Sequence, residues 1–80
     1  MNDDAIRTCL LDLAEKRGTA KTFCPSEAAR ALSDDWRPLM PRVRRVAYSL
    51  VAEGRLSVFQ KGVAVEPIGA KGAIRLGVPR

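Results

Sequence analysis

The chain contains no histidine, so the commonest general base and the commonest metal ligand are both missing. Its two cysteines, Cys9 and Cys24, are too few for a disulfide framework and lack the companion ligands of a zinc site. No metal or cofactor is therefore expected. No apolar run approaches the ~18 residues that mark a membrane span, so no membrane association is expected. The opening residues, Asn2, Asp3 and Asp4, lack the basic stretch of a secretory signal. A cytoplasmic protein is expected. At 80 residues and 46% hydrophobic content, one domain near the lower size limit for independent folding should take up most of the chain. Its expected extent is residues 3–77, with 78–80 as a tail.

What is abundant is arginine, unevenly placed. Residues 1–35 hold five basic and seven acidic side chains, whereas 36–80 hold nine basic and two acidic. The first part is net −2 and the second net +7. Such asymmetry points to nucleic acid or another anionic surface as the partner of the basic half. It is also compatible with nothing more than a soluble, arginine-rich surface.

Three helical segments come first. In the opening one, Ile6, Cys9, Leu10 and Leu13 recur at helical spacing, with Asn2 or Asp3 as cap and Lys16-Arg17 closing the last turn before Gly18. Leu11 points off that stripe; one exposed leucine is ordinary, and it leaves room for a homodimer contact. "TAKTF" can add one short strand. "CPSEAARAL" then starts a helix with Pro25 at its first position and Glu27 reaching back toward Cys24. Ala28 and Ala29 give it a small-residue face. "SDDWRPLMP" reads as a connector, because Pro38 and Pro41 cannot both lie inside a regular helix. Trp36 and Leu39 plug the core from it.

The third helix is expected from Pro41 to about Glu53. At about 100° per residue its apolar stripe is Met40, Val43, Ala47, Leu50 and Val51. Arg42, Arg45 and Ser49 project from the opposite side, with Tyr48 along its edge. Arg44 borders the stripe, where its methylenes can lie on the core while its head reaches water.

After Gly54 the apolar period changes to two. Leu56 and Val58, then Val63 and Val65, flank Lys61-Gly62 as a β-hairpin, although Phe59 gives both faces some apolar character. Ala73–Leu76 reads either as a last strand that pairs with the hairpin or as part of a loose tail. The order is that of an α+β winged helix-turn-helix, three helices with a C-terminal β-hairpin wing. In that architecture the third helix meets the major groove of double-stranded DNA by its N-terminal residues. The expected contacts are Arg42 and Arg45, supported by Arg37, Arg44 and Ser49, with Lys61 on the wing and Lys71 beyond it. A guanidinium fork suits guanine or phosphate. The same scaffold serves protein–protein interaction, so a protein partner is the alternative. Catalysis is not expected, because neither Cys24 with Glu27 nor Asp34 with Asp35 has an orienting third group or an oxyanion site.

Cys24-Pro25-Ser26-Glu27, Trp36 with Met40-Pro41, Gln60-Lys61-Gly62, and Lys71-Gly72 ahead of Ile74-Arg75-Leu76 form a further pattern. In these pieces, from about Ile6 to Leu76, the chain resembles a family of short bacterial winged-helix proteins catalogued as a domain of unknown function. The resemblance implies the winged-helix fold and no reaction, substrate or operator. Within it, Cys24 reads most simply as a small, buried helix-start residue, and more sharply as a redox-sensing thiol.

Overall fold

The computed structural model describes residues 2–19, 21–66 and 72–79. Helix α1 spans Asp3–Arg17, α2 Pro25–Leu32 and α3 Met40–Ala52, and strands β1 (Ser57–Gln60), β2 (Val63–Val65) and β3 (Arg75–Gly77) follow. Each helix packs against the other two. The core between them and one sheet face is made of Ile6, Leu10, Phe23, Ala28, Ala29, Val43, Ala47, Leu50, Val58 and Leu76, among others.

Local chemistry explains the helix ends. Asn2 caps α1, its side-chain oxygen accepting from the Ala5 N–H at 2.9 Å, and Asp3 and Asp4 occupy the positive end of the helix dipole. Pro25 starts α2 where no N–H is needed. Glu27 reaches back to accept the Cys24 N–H at 2.8 Å and an Arg17 guanidinium at 2.5 Å. Ala28 and Ala29 are fully buried, so their small size lets α2 lie close to its neighbours. The connector tightens into a 3-10 turn over Arg37–Leu39, and α3 begins at Met40, one residue before the expected Pro41. Pro41 cannot donate to the Arg37 carbonyl four residues back; Met40 donates to it instead.

The stripe of α3 is rotated from the expected one. Val43, Val46, Ala47 and Leu50 are buried, whereas Met40 and Val51 are only half-buried. Because α1 packs against the Val46 side, Pro41, Arg45, Ser49 and Ala52 face solvent, and Arg42 and Arg44 occupy the two flanks.

The expected hairpin forms, but it is only part of a three-stranded antiparallel sheet of order β2-β1-β3. β3 pairs with the side of β1 away from β2, matching Phe59 with Arg75, and Phe23 continues the sheet through a bridge to Leu76 at 2.8 and 2.7 Å. A hairpin wing alone is therefore a correction: of the two readings of 73–76 the strand is the one that forms, at 75–77, and it sits between β1 and Phe23. The reason is the apolar alternation of the last segment. Ile74 and Leu76 are buried while Arg75 is exposed, and Leu76 joins Val58 and Phe23 on the helix-facing side. Phe59 is buried on the other side, where Gly77 makes room for it: a Cβ at Gly77 would stand 3.2 Å from its ring. Three helices followed by this sheet make an α+β fold compatible with a winged helix.

Candidate nucleic-acid interface

Arg42 and Arg45 do come together, around a residue that sequence reasoning used only for helix capping. The Asp3 carboxylate stands between them, 3.1 Å from an Arg42 nitrogen and 3.1 Å from an Arg45 nitrogen. Both arginine side chains stay well exposed, at 38% and 64%. The Arg42 hydrogen bond, with the charges of both guanidiniums, holds the Asp3 carboxyl below its usual range against the smaller opposing effect of partial desolvation. Two guanidiniums facing one carboxylate leave this cluster with one positive charge, and Arg44 on the other flank adds a second. A second tie joins the same helices: Arg7 grips Glu53 through two hydrogen bonds of 2.6 and 2.7 Å. That fork holds Glu53 low in pKa in the same way. Together the two ties fix the azimuth of α3 against α1.

Ser49 is exposed one turn beyond Arg45, but its hydroxyl donates to the Arg45 carbonyl at 3.3 Å. It is thereby engaged with its own helix. Lys61 stands at the tip of the β1–β2 turn with φ 52, followed by Gly62 at φ 80. Two consecutive positive φ values between Gln60 and Val63 match a type I′ turn, whose twist suits a hairpin. The turn presents Lys61 to solvent away from the core. Lys71 lies outside the described residues.

Arg37 is elsewhere. It sits in the 3-10 turn ahead of α3, its guanidinium 4.6 Å from the centre of the Trp36 ring. Arg30, on the exposed side of α2, stands over the same ring at 4.5 Å. Trp36 packs partly against the core, as expected, and also carries two cations. The candidate residues thus fall into three groups: Arg42 and Arg45 at Asp3, Arg30 and Arg37 on Trp36, and Lys61 on the turn. Sequence reasoning missed Asp3, Arg30 and Trp36 as members. Arg30 and Trp36 belong to different elements six positions apart, and no helical or strand period joins them.

The cysteines are apart from these groups. Cys9 and Cys24 are free thiols, both half-buried. The Cys24 sulfur accepts the Ser26 hydroxyl at 3.1 Å. Burial, with Asp12 nearby, pushes the Cys9 thiol up in pKa, which disfavours a reactive thiolate. Among the described residues no group of three or more His, Cys, Asp or Glu side chains is placed to hold a metal ion, and no helix is long and apolar enough to cross a membrane.

Residues 3–79 match the model of a family described as "Protein of unknown function (DUF3253)". The chain belongs to the DUF3253 family. No curated protein matches it. The match runs from the Asp3 that pairs with Arg42 and Arg45 through β3, so in this DUF3253 chain the helices and the sheet described above fall within the family's span. The family description carries no activity, and the functional reading has to come from the surface itself.

Proposed function

We propose that this chain is a DNA-binding module that engages double-stranded DNA through α3 and the β1–β2 turn. The observation that carries the reading is the outer side of α3. It presents Arg45, with Arg42 and Arg44 on its two flanks, has no acidic residue in its first turn, and follows on a second helix and a tight connector. A helix of 13 residues is about 20 Å long, and the major groove is about 12 Å wide, so α3 fits it end-on or tilted. Docked by its N-terminal half, α3 offers Arg45 and, beside it, Arg42 and Arg44. Lys61 then reaches the flanking backbone as a point charge. Phosphates replace the Asp3 carboxylate at the arginine pair, exchanging one monoanion for another.

In this reading the chain is not an enzyme, and its site of action is the bacterial cytoplasm, where DNA is. Cys24 and Glu27 serve the start of α2. Asp34 and Asp35 belong to the connector.

The test is fluorescence anisotropy of a labelled duplex at about 50 and 200 mM salt, a range in which phosphate contacts lose affinity steeply. Wild type should bind with a clear salt dependence. The Arg42→Ala/Arg45→Ala pair should bind more weakly, by about 1–3 kcal/mol for each arginine that reads a base. Equal binding by that variant would remove α3 as the reader.

A second reading has its own observation. β2 is an edge strand in the described sheet, and Val63 on it is 64% exposed, the most exposed large hydrophobic side chain of the described residues. A protein partner, or a second copy of the chain, could add a strand there. Absence of duplex binding at low salt would favour that reading.

A further inference from the structure

The arginines of this chain divide by what already holds them. Arg7 is paired with Glu53, Arg17 with Glu27, and Arg42 and Arg45 with Asp3. Arg75 donates to the Thr22 hydroxyl at 2.7 Å and carbonyl at 2.8 Å. Arg30, Arg37, Arg44 and Arg55 differ: among the described residues none of them has a carboxylate within ion-pair distance, and of these four Arg30 and Arg37 are placed over the Trp36 ring. Asp34 and Asp35 are close in sequence to these two and exposed, yet form no ion pair with either.

The manner of holding matters. A guanidinium laid over an aromatic ring uses its flat face, which leaves the N–H donors around its edge free for an anion that accepts two of them, such as a phosphate. The ring also limits the rotamers the long side chain would otherwise sample, so less entropy is lost when an anion binds. Trp36 itself cannot wander, because part of it packs on the core. With guanidiniums over it, the ring is unsuited to stacking on a base; its part is to position the arginines. The cluster lies at the junction of α2 and the 3-10 turn that leads into α3; in HTH-type docking the helix ahead of the recognition helix crosses the sugar-phosphate backbone, while the recognition helix itself meets base edges.

We propose that Arg30 and Arg37, held on Trp36, each take a backbone phosphate of duplex DNA as a two-point clamp, and that this clamp, not the Arg42–Arg45 pair, is the principal phosphate anchor. The proposal rests on the DNA-binding reading above and adds the residues that fix register. Engaging it displaces no internal carboxylate, whereas Arg42 and Arg45 must first release Asp3.

The experiment compares four proteins on one labelled duplex at several salt concentrations between about 50 and 200 mM. They are wild type, Arg30→Ala/Arg37→Ala, Arg30→Lys/Arg37→Lys, and Lys16→Ala/Lys21→Ala, which removes two charges at other exposed positions. Circular dichroism and thermal melting confirm that each is folded. Each lost phosphate contact flattens the log–log salt slope by about 0.9. The alanine pair should lose about 1.8, so across a fourfold change in salt wild type should lose about 12-fold more affinity than the variant does. The lysine pair should keep most of the slope but bind more weakly, because an ammonium lacks the planar fork that the ring holds in place. Trp36 is the single tryptophan, so its emission should change on adding unlabelled duplex to wild type. A slope for the arginine-to-alanine pair equal to wild type, or to the Lys16/Lys21 control, overturns the clamp while leaving DNA binding intact. Failure of wild type itself to bind at 50 mM overturns the DNA reading and the clamp together.

Discussion

Which arginines face outward depends on how α3 is rotated, and that rotation can be measured through Val46 and Val51. Val46 is 7% exposed and lies on the side of α3 that meets α1, while Val51 is half-buried near the sheet edge. Trimming either to alanine removes two carbons. For the buried one that is worth ~1.6 kcal/mol of transfer free energy plus a cavity contribution. Alanine, however, is the better helix former by roughly 0.6 kcal/mol. Val46→Ala should therefore cost about 1–2 kcal/mol net. Val51→Ala loses only about half the transfer free energy, and the propensity gain nearly cancels it. For a domain of this size 1 kcal/mol shifts Tm by roughly 4–8 °C. Val46→Ala should thus melt about 5–15 °C lower and Val51→Ala within about 2 °C of wild type, by calorimetry or circular dichroism. Equal drops, or a larger drop for Val51→Ala, would refute the observed rotation and return Arg42 from its flank to the exposed face beside Arg45.

Two further outcomes follow from the turn and the ion pairs. Lys61→Asn puts a residue tolerant of positive φ at the first position of the type I′ turn, so it should stabilise by ~1 kcal/mol. If DNA binding is correct, the same change should weaken duplex binding and flatten the salt slope by about 0.9; stability and binding moving in the same direction would contradict one of the two roles. Asp3 and Glu53 are held below their ordinary values chiefly by hydrogen bonds from Arg42 and Arg7. Glu27 is also lowered, since the Cys24 N–H and Arg17 outweigh its desolvation. Unfolded carboxyls titrate near pH 4, so these groups contribute stability above that pH, and the contribution is lost as pH falls through the lower folded values. The urea midpoint should accordingly fall between about pH 5 and pH 3, and Glu27→Gln should show a shallower fall; an identical pH profile for that variant would exclude Glu27 as a contributor.

Much of the architecture was legible because local chemistry decided it. Asn2, Pro25 with Glu27, and Lys61-Gly62 mark their boundaries through hydrogen bonds and φ preferences that a sequence states openly. Alternation at Ile74-Arg75-Leu76 allowed a strand without giving its place in the sheet. Nothing local says whether that strand joins β2 or inserts beside Phe23. The rotation of α3 was hidden for a related reason. Met40, Val43, Val46, Ala47, Leu50 and Val51 are all apolar and cover roughly 140° of the circumference at about 100° per residue, so periodicity alone allows more than one centre. The packing of α1 selects the side that includes Val46.

The candidate site shows the limit more sharply, because its members are selected by partners far away in sequence. Counting charges singles out Arg42, Arg44 and Arg45. The fold then brings Asp3, some forty positions earlier, onto Arg42 and Arg45, and lays Arg30 and Arg37 on Trp36 without a carboxylate. A guanidinium already hydrogen-bonded to a carboxylate must give up those bonds before it gains others, whereas one held by its face on a ring keeps its donors ready. The density of basic residues along the chain is therefore a poor guide to which of them binds an anion first. The better guide is what each one already touches, and by that measure Arg30 and Arg37 rank above Arg42 and Arg45.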